Sequence, residues 1–161
     1  DCTIRAGLLP VRGGGAMKVL LCVDQSEHSQ AAVRAVTSQY QPKATEVRVL
    51  HILQPILLSA APQMDPMYTP ELEAEGSEAR KLIDRVAAEL RTAGFRAEPL
   101  LTKGDIRETI VDAAAQWHAD LIVMGSHGKG GLRRLLLGSV AEFVARHAPC
   151  SVLIARSTAP H

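Results

Sequence analysis

Leu121-Ile122-Val123-Met124-Gly125-Ser126-His127-Gly128 opens a stretch that runs through Lys129-Gly130-Gly131-Leu132-Arg133-Arg134-Leu135-Leu136-Leu137 to Gly138-Ser139. The apolar run Leu121 to Met124 reads as a strand covered on both faces. The glycines behind it mark a loop, and Gly138-Ser139 reads as the opening of a helix. Strand, loop and helix in this order form half of a βαβ unit, whose strands lie parallel in one sheet.

The same alternation extends outward. Val19-Leu20-Leu21-Cys22-Val23 is a second continuous apolar run, and Ser26 to Tyr40 follows helical spacing with Ala31, Ala32, Val36 and Tyr40 on one side. Val47 to Leu53 is a further strand. Gln54 to Pro70, with four prolines, reads as a long irregular loop of the functional or mobile kind. Glu71 to Ala93 is composed as a helix with Gly94 at its end. Phe95 to Thr102 is a strand that Pro99 assigns to an edge, and Asp105 caps a helix running to Trp117 or His118. Ser151 to Ile154 is the fifth strand. The expectation is a single-domain α/β fold, a doubly wound five-stranded parallel sheet with helices on both faces. Such sheets bind ligands beyond the strand carboxyl ends at the switch point, here between Val23-Asp24 and Met124-Gly125 if the first strand is central.

Composition narrows the function classes. At 161 residues, 47% hydrophobic and 22% charged, the chain is one soluble-type domain able to bury its own core. A net charge of +1 and only five aromatic residues argue against nucleic acid as a partner. The three cysteines, Cys2, Cys22 and Cys150, form no C-x-x-C pair, which speaks for a reducing compartment rather than a disulfide framework. No apolar run is long enough to span a bilayer, so no membrane role and a cytoplasmic location are expected. Residues 1–16 read as a flexible upstream extension or a cloning scar, 17–157 as the domain with Met17 as its natural start, and 158–161 as a tail.

Glycine lets backbone amides approach an anion without a Cβ in the way, and the amino end of a helix adds unpaired amides and a positive dipole. Lys129, Arg133 and Arg134 lie near enough in sequence to add charge. The plainer alternative is that the glycines only make turns and Ser139 only caps a helix. There is no G-x-x-x-x-G-K-[ST], which excludes a P-loop. The first βα turn, Asp24-Gln25-Ser26-Glu27, has no glycine, and this disfavours dinucleotide binding.

Gly125, Gly128 and Gly138-Ser139 match the pattern G-x2-G-x9-G-[ST], which resembles the ATP-binding motif of the universal stress protein family. The words Val123 to Gly128, Leu136 to Ala141 and Lys18 to Asp24 are similar to that family too, and the likeness covers about Met17 to Arg156. The resemblance implies a strand order of 3-2-1-4-5 and one ATP, with Mg2+, at the ends of strands one and four. It implies Val23 and Asp24 near the adenosine, with the Asp24 carboxylate toward ribose or the metal-phosphate end. Ile52 would pack on adenine and Met124 and Gly125 would line the ribose, while Gly128, Gly138, Ser139 and Val140 would wrap the phosphates. Two departures are visible: Ala141 replaces a hydroxyl residue and Cys22 a proline found in some members.

Each candidate also has an ordinary role open to it. Asp24 can make an Asx turn or cap the next helix, His127 can be an exposed loop residue, and His51 a hydrogen-bonded, partly buried one. Cys22 and Cys150 read as inert packing. No metal cluster and no clear general base stand near the expected phosphates, so no catalytic residue is assigned and any hydrolysis should be slow. Two functions are therefore expected in order: an ATP-dependent regulatory or stress-response module, then a dimeric interaction module that binds no nucleotide. The last strand, Cys150 to Ala155, is expected at a free sheet edge, where an apolar run without internal Lys, Pro or Gly invites a homodimer.

Overall fold

The computed structural model describes residues 4–6, 15–55, 70–128 and 137–157. In chain order they form β1 (Ile4–Ala6), β2 (Met17–Cys22), α1 (Glu27–Gln39), a 3-10 turn (Pro42–Ala44), β3 (Thr45–Leu53), α2 (Pro70–Thr92), β4 (Arg96–Lys103), α3 (Ile106–Trp117), β5 (Leu121–Gly125), α4 (Ser139–His147) and β6 (Ser151–Ala155). The region between Gln54 and Pro70 that the sequence marks as a long loop lies mostly outside the described residues, as do Lys129, Arg133 and Arg134.

The sheet follows from alternation on strands that are apolar on both sides. Val19, Leu21, Val47, Val49, Val123 and Leu153 share one core with α1 and α2. Leu20, Leu50, Ile122, Met124, Val152 and Ile154 share the other, with α3 and α4. Val19, Leu20 and Leu21 are all completely buried, as a central parallel strand requires. Burying each side chain of this size contributes roughly 1.5–3 kcal/mol. Small residues let α1 lie close to the sheet, since its buried face is Ser29, Ala31, Ala32, Val33, Ala35 and Val36.

β2 pairs in parallel with β3 and β5, β3 with β4, and β5 with β6, so the five parallel strands stand in the expected 3-2-1-4-5 order. Pro99 does sit on the edge strand, β4. Helix ends match their local chemistry. Ser26 Oγ accepts from the Ser29 amide at 3.2 Å, and Asp105 accepts from the amides of Arg107 and Glu108 at 3.0 and 3.2 Å. Gly94 takes a φ of 94° while its amide and that of Phe95 bond back to Arg91 and Leu90.

One expectation fails. The outer edge of β6 is not free: β1 pairs antiparallel with it, Ile4 opposite Ile154, Arg5 opposite Leu153 and Ala6 opposite Val152. Among the described residues the sheet is therefore six-stranded, in the order β1-β6-β5-β2-β3-β4. The residues that cover this edge, Ile4–Ala6, come from the other end of the chain from β6. Sequence patterning misses this because an antiparallel edge partner needs only backbone amides and carbonyls, and three residues carry no readable period.

Candidate functional site

The carboxyl ends of β2 and β5 lie side by side, Leu21 opposite Val123, and each runs into a turn of different construction. On the β2 side the chain continues through Val23, whose amide donates to the Leu50 carbonyl at 2.9 Å. The Val23 carbonyl accepts from His51 Nδ1 at 2.7 Å, which places the proton of that imidazole on Nδ1. Asp24 then makes an Asx turn: its Oδ1 accepts from the Ser26 amide and from Ser29 Oγ, each at 2.9 Å. Its own amide donates to Ser29 Oγ at 2.6 Å. The ordinary role of Asp24 is thus real, although Ser26 and not Asp24 caps α1.

On the β5 side the geometry is set by missing side chains. A Cβ on Gly125 would stand 2.6 Å from His28 Cβ and 2.7 Å from its carbonyl carbon, so the end of β5 and the first turn of α1 touch backbone to backbone. A Cβ on Gly138 would stand 2.9 Å from the Ser126 carbonyl oxygen, which instead accepts the Gly138 amide at 2.8 Å. This bond closes the glycine-rich loop onto the end of β5. A Cβ on Gly128 would meet Asp24 Oδ2 at 3.0 Å, which puts that carboxylate oxygen beside the loop. Gly138 is the N-cap of α4 and brings no capping side chain. The first-turn amides of α4 have no acceptor within the helix and carry the positive end of its dipole.

Asp24, Gly125, Gly128 and Gly138 are brought together as the sequence implied, with Ser139 exposed at the first turn of α4. Ile52 and Met124 are buried together in the core shared with α3 and α4, and Val140 packs at its rim. Val23 is buried on the opposite face of the sheet, among residues packed on α1 and α2. Its side chain does not share a surface with Ile52 and Met124.

Sequence reasoning missed three residues. Ser126 is buried, with its Oγ 3.3 Å from His28 Nδ1 and 3.1 Å from His127 Nδ1. The two imidazole rings lie 5.2 Å apart. A hydroxyl has one proton, so Ser126 can donate to only one of the two Nδ1 atoms and must accept from the other if both bonds form. Ser29 is the third, buried under Asp24. Serine and histidine at these spacings carry no motif, and only the fold brings them into contact.

Cys22 and Cys150 take no part in the site. Burial pushes the Cys22 thiol up to about 12, with Cys150 adding a smaller repulsion, and burial pushes Cys150 up to about 11. Both stay protonated and poorly nucleophilic at neutral pH. Among the described residues no three His, Cys, Asp or Glu side chains are grouped to hold a metal ion, and no helix is long and apolar enough to cross a membrane. A separate groove of about 480 Å3 lies between α3 and the β3–β4 face, where Trp117 stacks under Arg48 at 4.4 Å.

The model of the universal stress protein family matches residues 16–156. The chain belongs to that family. A universal stress protein of Thermus aquaticus is 33% identical over 138 residues, covering 86% of this chain and 97% of its own. Among solved universal stress proteins, UspA from Lactobacillus plantarum matches with a TM-score of 0.78 at 27% identity, covering 89% of this chain and 100% of that one. The structure of MJ0577 from Methanocaldococcus jannaschii matches at 0.76 and 30% identity, covering 89% and 97%. Family proteins solved with AMP, from Arabidopsis thaliana, with cAMP, and with dAMP, from Archaeoglobus fulgidus, share the fold at 17%, 21% and 23% identity. Their TM-scores are 0.64, 0.63 and 0.63, and they cover 89%, 89% and 86% of this chain and 93%, 98% and 97% of their own.

Proposed function

We propose that this universal stress protein binds ATP with Mg2+ at the ends of β2 and β5 and acts as a nucleotide-dependent regulatory module in a stress response. The observation that carries the reading is the set of three glycines, Gly125 and Gly138 where a Cβ would collide and Gly128 where it would crowd the Asp24 carboxylate, gathered with the amino end of α4. Such a loop suits an anion, because amides approach it without side chains between. Same-fold proteins solved with adenine nucleotides support the ligand class. Asp24 fits a magnesium site of the usual kind, in which one carboxylate joins the substrate phosphates. Ser139 and the first-turn amides of α4 would hold the phosphates, and Ile52 and Met124 would supply apolar surface toward the nucleoside.

Hydrolysis is absent or slow in this reading. Asp24 Oδ1 is held by Ser26 and Ser29 and its other oxygen is given to the metal in this reading, and His127 Nδ1 is held by Ser126, so none of these atoms is assigned as a base for water. Calorimetry with ATP·Mg2+ and with a nicotinamide dinucleotide tests the proposal. Binding of ATP alone, lost in Gly138→Val while circular dichroism shows a folded protein, is the expected result. Equal ATP affinity in both proteins would overturn this placement of the phosphates.

A further inference from the structure

Side chains tie the Asp24 turn to the glycine-rich loop through Ser126. His28 stands in the first turn of α1 between Ser26 and Ser29, the residues that hold Asp24. Its Nδ1 lies 3.3 Å from Ser126 Oγ, and the same Oγ lies 3.1 Å from His127 Nδ1. The backbone around this contact has little slack. Gly125 touches His28 without room for a Cβ, and the Ser126 carbonyl accepts the Gly138 amide at 2.8 Å. His127 completes the chain of contacts, because a Cβ on Gly138 would stand 3.6 Å from His127 Cδ2. Cδ2 is bonded to Nε2. The imidazole therefore turns Nδ1 to Ser126 and its Cδ2–Nε2 edge to the start of α4.

A hydroxyl holds one proton and a neutral imidazole one N–H, so with both rings neutral and both bonds formed the three groups are coupled. In one state His28 Nδ1–H donates to Ser126 Oγ, the hydroxyl donates to His127 Nδ1, and the proton of His127 sits on Nε2. In the other, His127 Nδ1–H donates to Ser126, the hydroxyl donates to His28, and His127 Nε2 is a lone pair. The positive amino end of a helix favours the lone pair beside it, whereas an anion bound there favours the N–H. We propose that His28 is a positioning residue for the nucleotide, which acts through Ser126 to hold His127 as the Nε2–H tautomer when phosphate lies at the amino end of α4. This role rests on the ATP reading, and it falls to a residue of α1 that needs no contact with the nucleotide itself. Passing from the second state to the first moves one proton from His127 Nδ1 to Ser126 Oγ and one from Ser126 to His28 Nδ1. His127 Nε2 gains a proton from water and His28 Nε2 returns one, so the net charge is unchanged.

Long-range 1H–15N spectra tell a protonated ring nitrogen from a bare one, and are recorded on the full chain at about pH 8, where a histidine of ordinary pKa is neutral. With ATP·Mg2+ added, His127, identified by its loss in His127→Gln, should show a protonated Nε2 and a bare Nδ1. His28→Phe keeps a ring beside His127 but offers no donor, and Ser126→Ala cuts the relay in the middle. In both, the single tautomer should give way to a mixture, and ATP affinity by calorimetry should fall roughly 5- to 10-fold. His28→Asn puts an amide N–H near the place of Nδ1 and should restore the tautomer and most of the affinity. Circular dichroism checks the fold of each variant. His28 is only half-buried, so His28→Phe decides should Ser126→Ala fail to fold. Equal affinity in wild type and His28→Phe, or a His127 protonated on Nδ1 with ATP bound, would overturn the role of His28 and leave the ATP reading in place. Absence of ATP binding to the wild type would overturn both.

Discussion

The two turns that flank the site reach the same place by opposite means. After β2, Asp24, Ser26 and Ser29 form a closed set of hydrogen bonds, each at 3.2 Å or less. That turn is shaped by what its side chains do. After β5, Gly125 and Gly138 allow contacts that no Cβ would permit, and the loop is shaped by side chains that are absent. A polar turn can lose one bond and relax, whereas backbone contact without a Cβ has nowhere to give. The β5 side should therefore be the more brittle of the two.

Gly125→Val is the strongest attempt to break that contrast. Its Cβ would press on His28 Cβ, carbonyl carbon and oxygen at 2.6 to 2.8 Å, and two of these are backbone atoms. A stability loss of about 3 kcal/mol or more is expected in urea denaturation. A loss below about 1 kcal/mol would show that α1 can slide away from β5. On the opposite side, Ser29→Ala removes both the acceptor of the Asp24 amide and a donor to Asp24 Oδ1, and should cost roughly 1–3 kcal/mol. If Ser29→Ala proves worse than Gly125→Val, the ranking of the two turns is reversed.

Gly128→Ala sharpens the comparison rather than breaking it. The new methyl would meet Asp24 Oδ2 alone, at 3.0 Å, and a carboxylate held through Oδ1 can swing slightly. Stability should change by less than about 1 kcal/mol, while ATP affinity measured by calorimetry falls if the loop must close on Asp24. The smallest effect lies at a third helix start. Asp105 is held below its ordinary range, chiefly by the Glu108 amide and further by Arg107. A lowered folded-state value means that its stabilisation is present above the unfolded-state value and is lost as pH falls through the acid range. Asp105→Asn should slightly flatten the acid limb of a stability-versus-pH curve, whereas Ser26→Ala at the uncharged cap of α1 should leave that limb's shape unchanged.

Much of this was legible in the chain. The runs Val19 to Val23 and Leu121 to Met124 announce central strands, because only a strand buried on both faces needs apolar residues without alternation. Gly125, Gly128 and Gly138 were singled out by their match to the family's glycine pattern, and a loop that excludes side chains has to be written in glycine. Ser29, Ser126 and His28 were not, because a serine or histidine buried by a neighbouring element looks like any polar residue of a turn.

By itself the sequence determined the alternating elements, the two apolar runs that need cover on both faces and the glycine positions, because each is a local rule of periodicity or backbone freedom, while the strand order came from the family resemblance. The tertiary structure alone decided that Asp24 turns one oxygen into its own turn and the other toward Gly128. It alone placed Val23 on the other face from Ile52 and Met124, and it set Ile4–Ala6 on the edge of β6. Those outcomes depend on which residues far apart in the chain come within hydrogen-bond or van der Waals reach, and no local pattern encodes that distance.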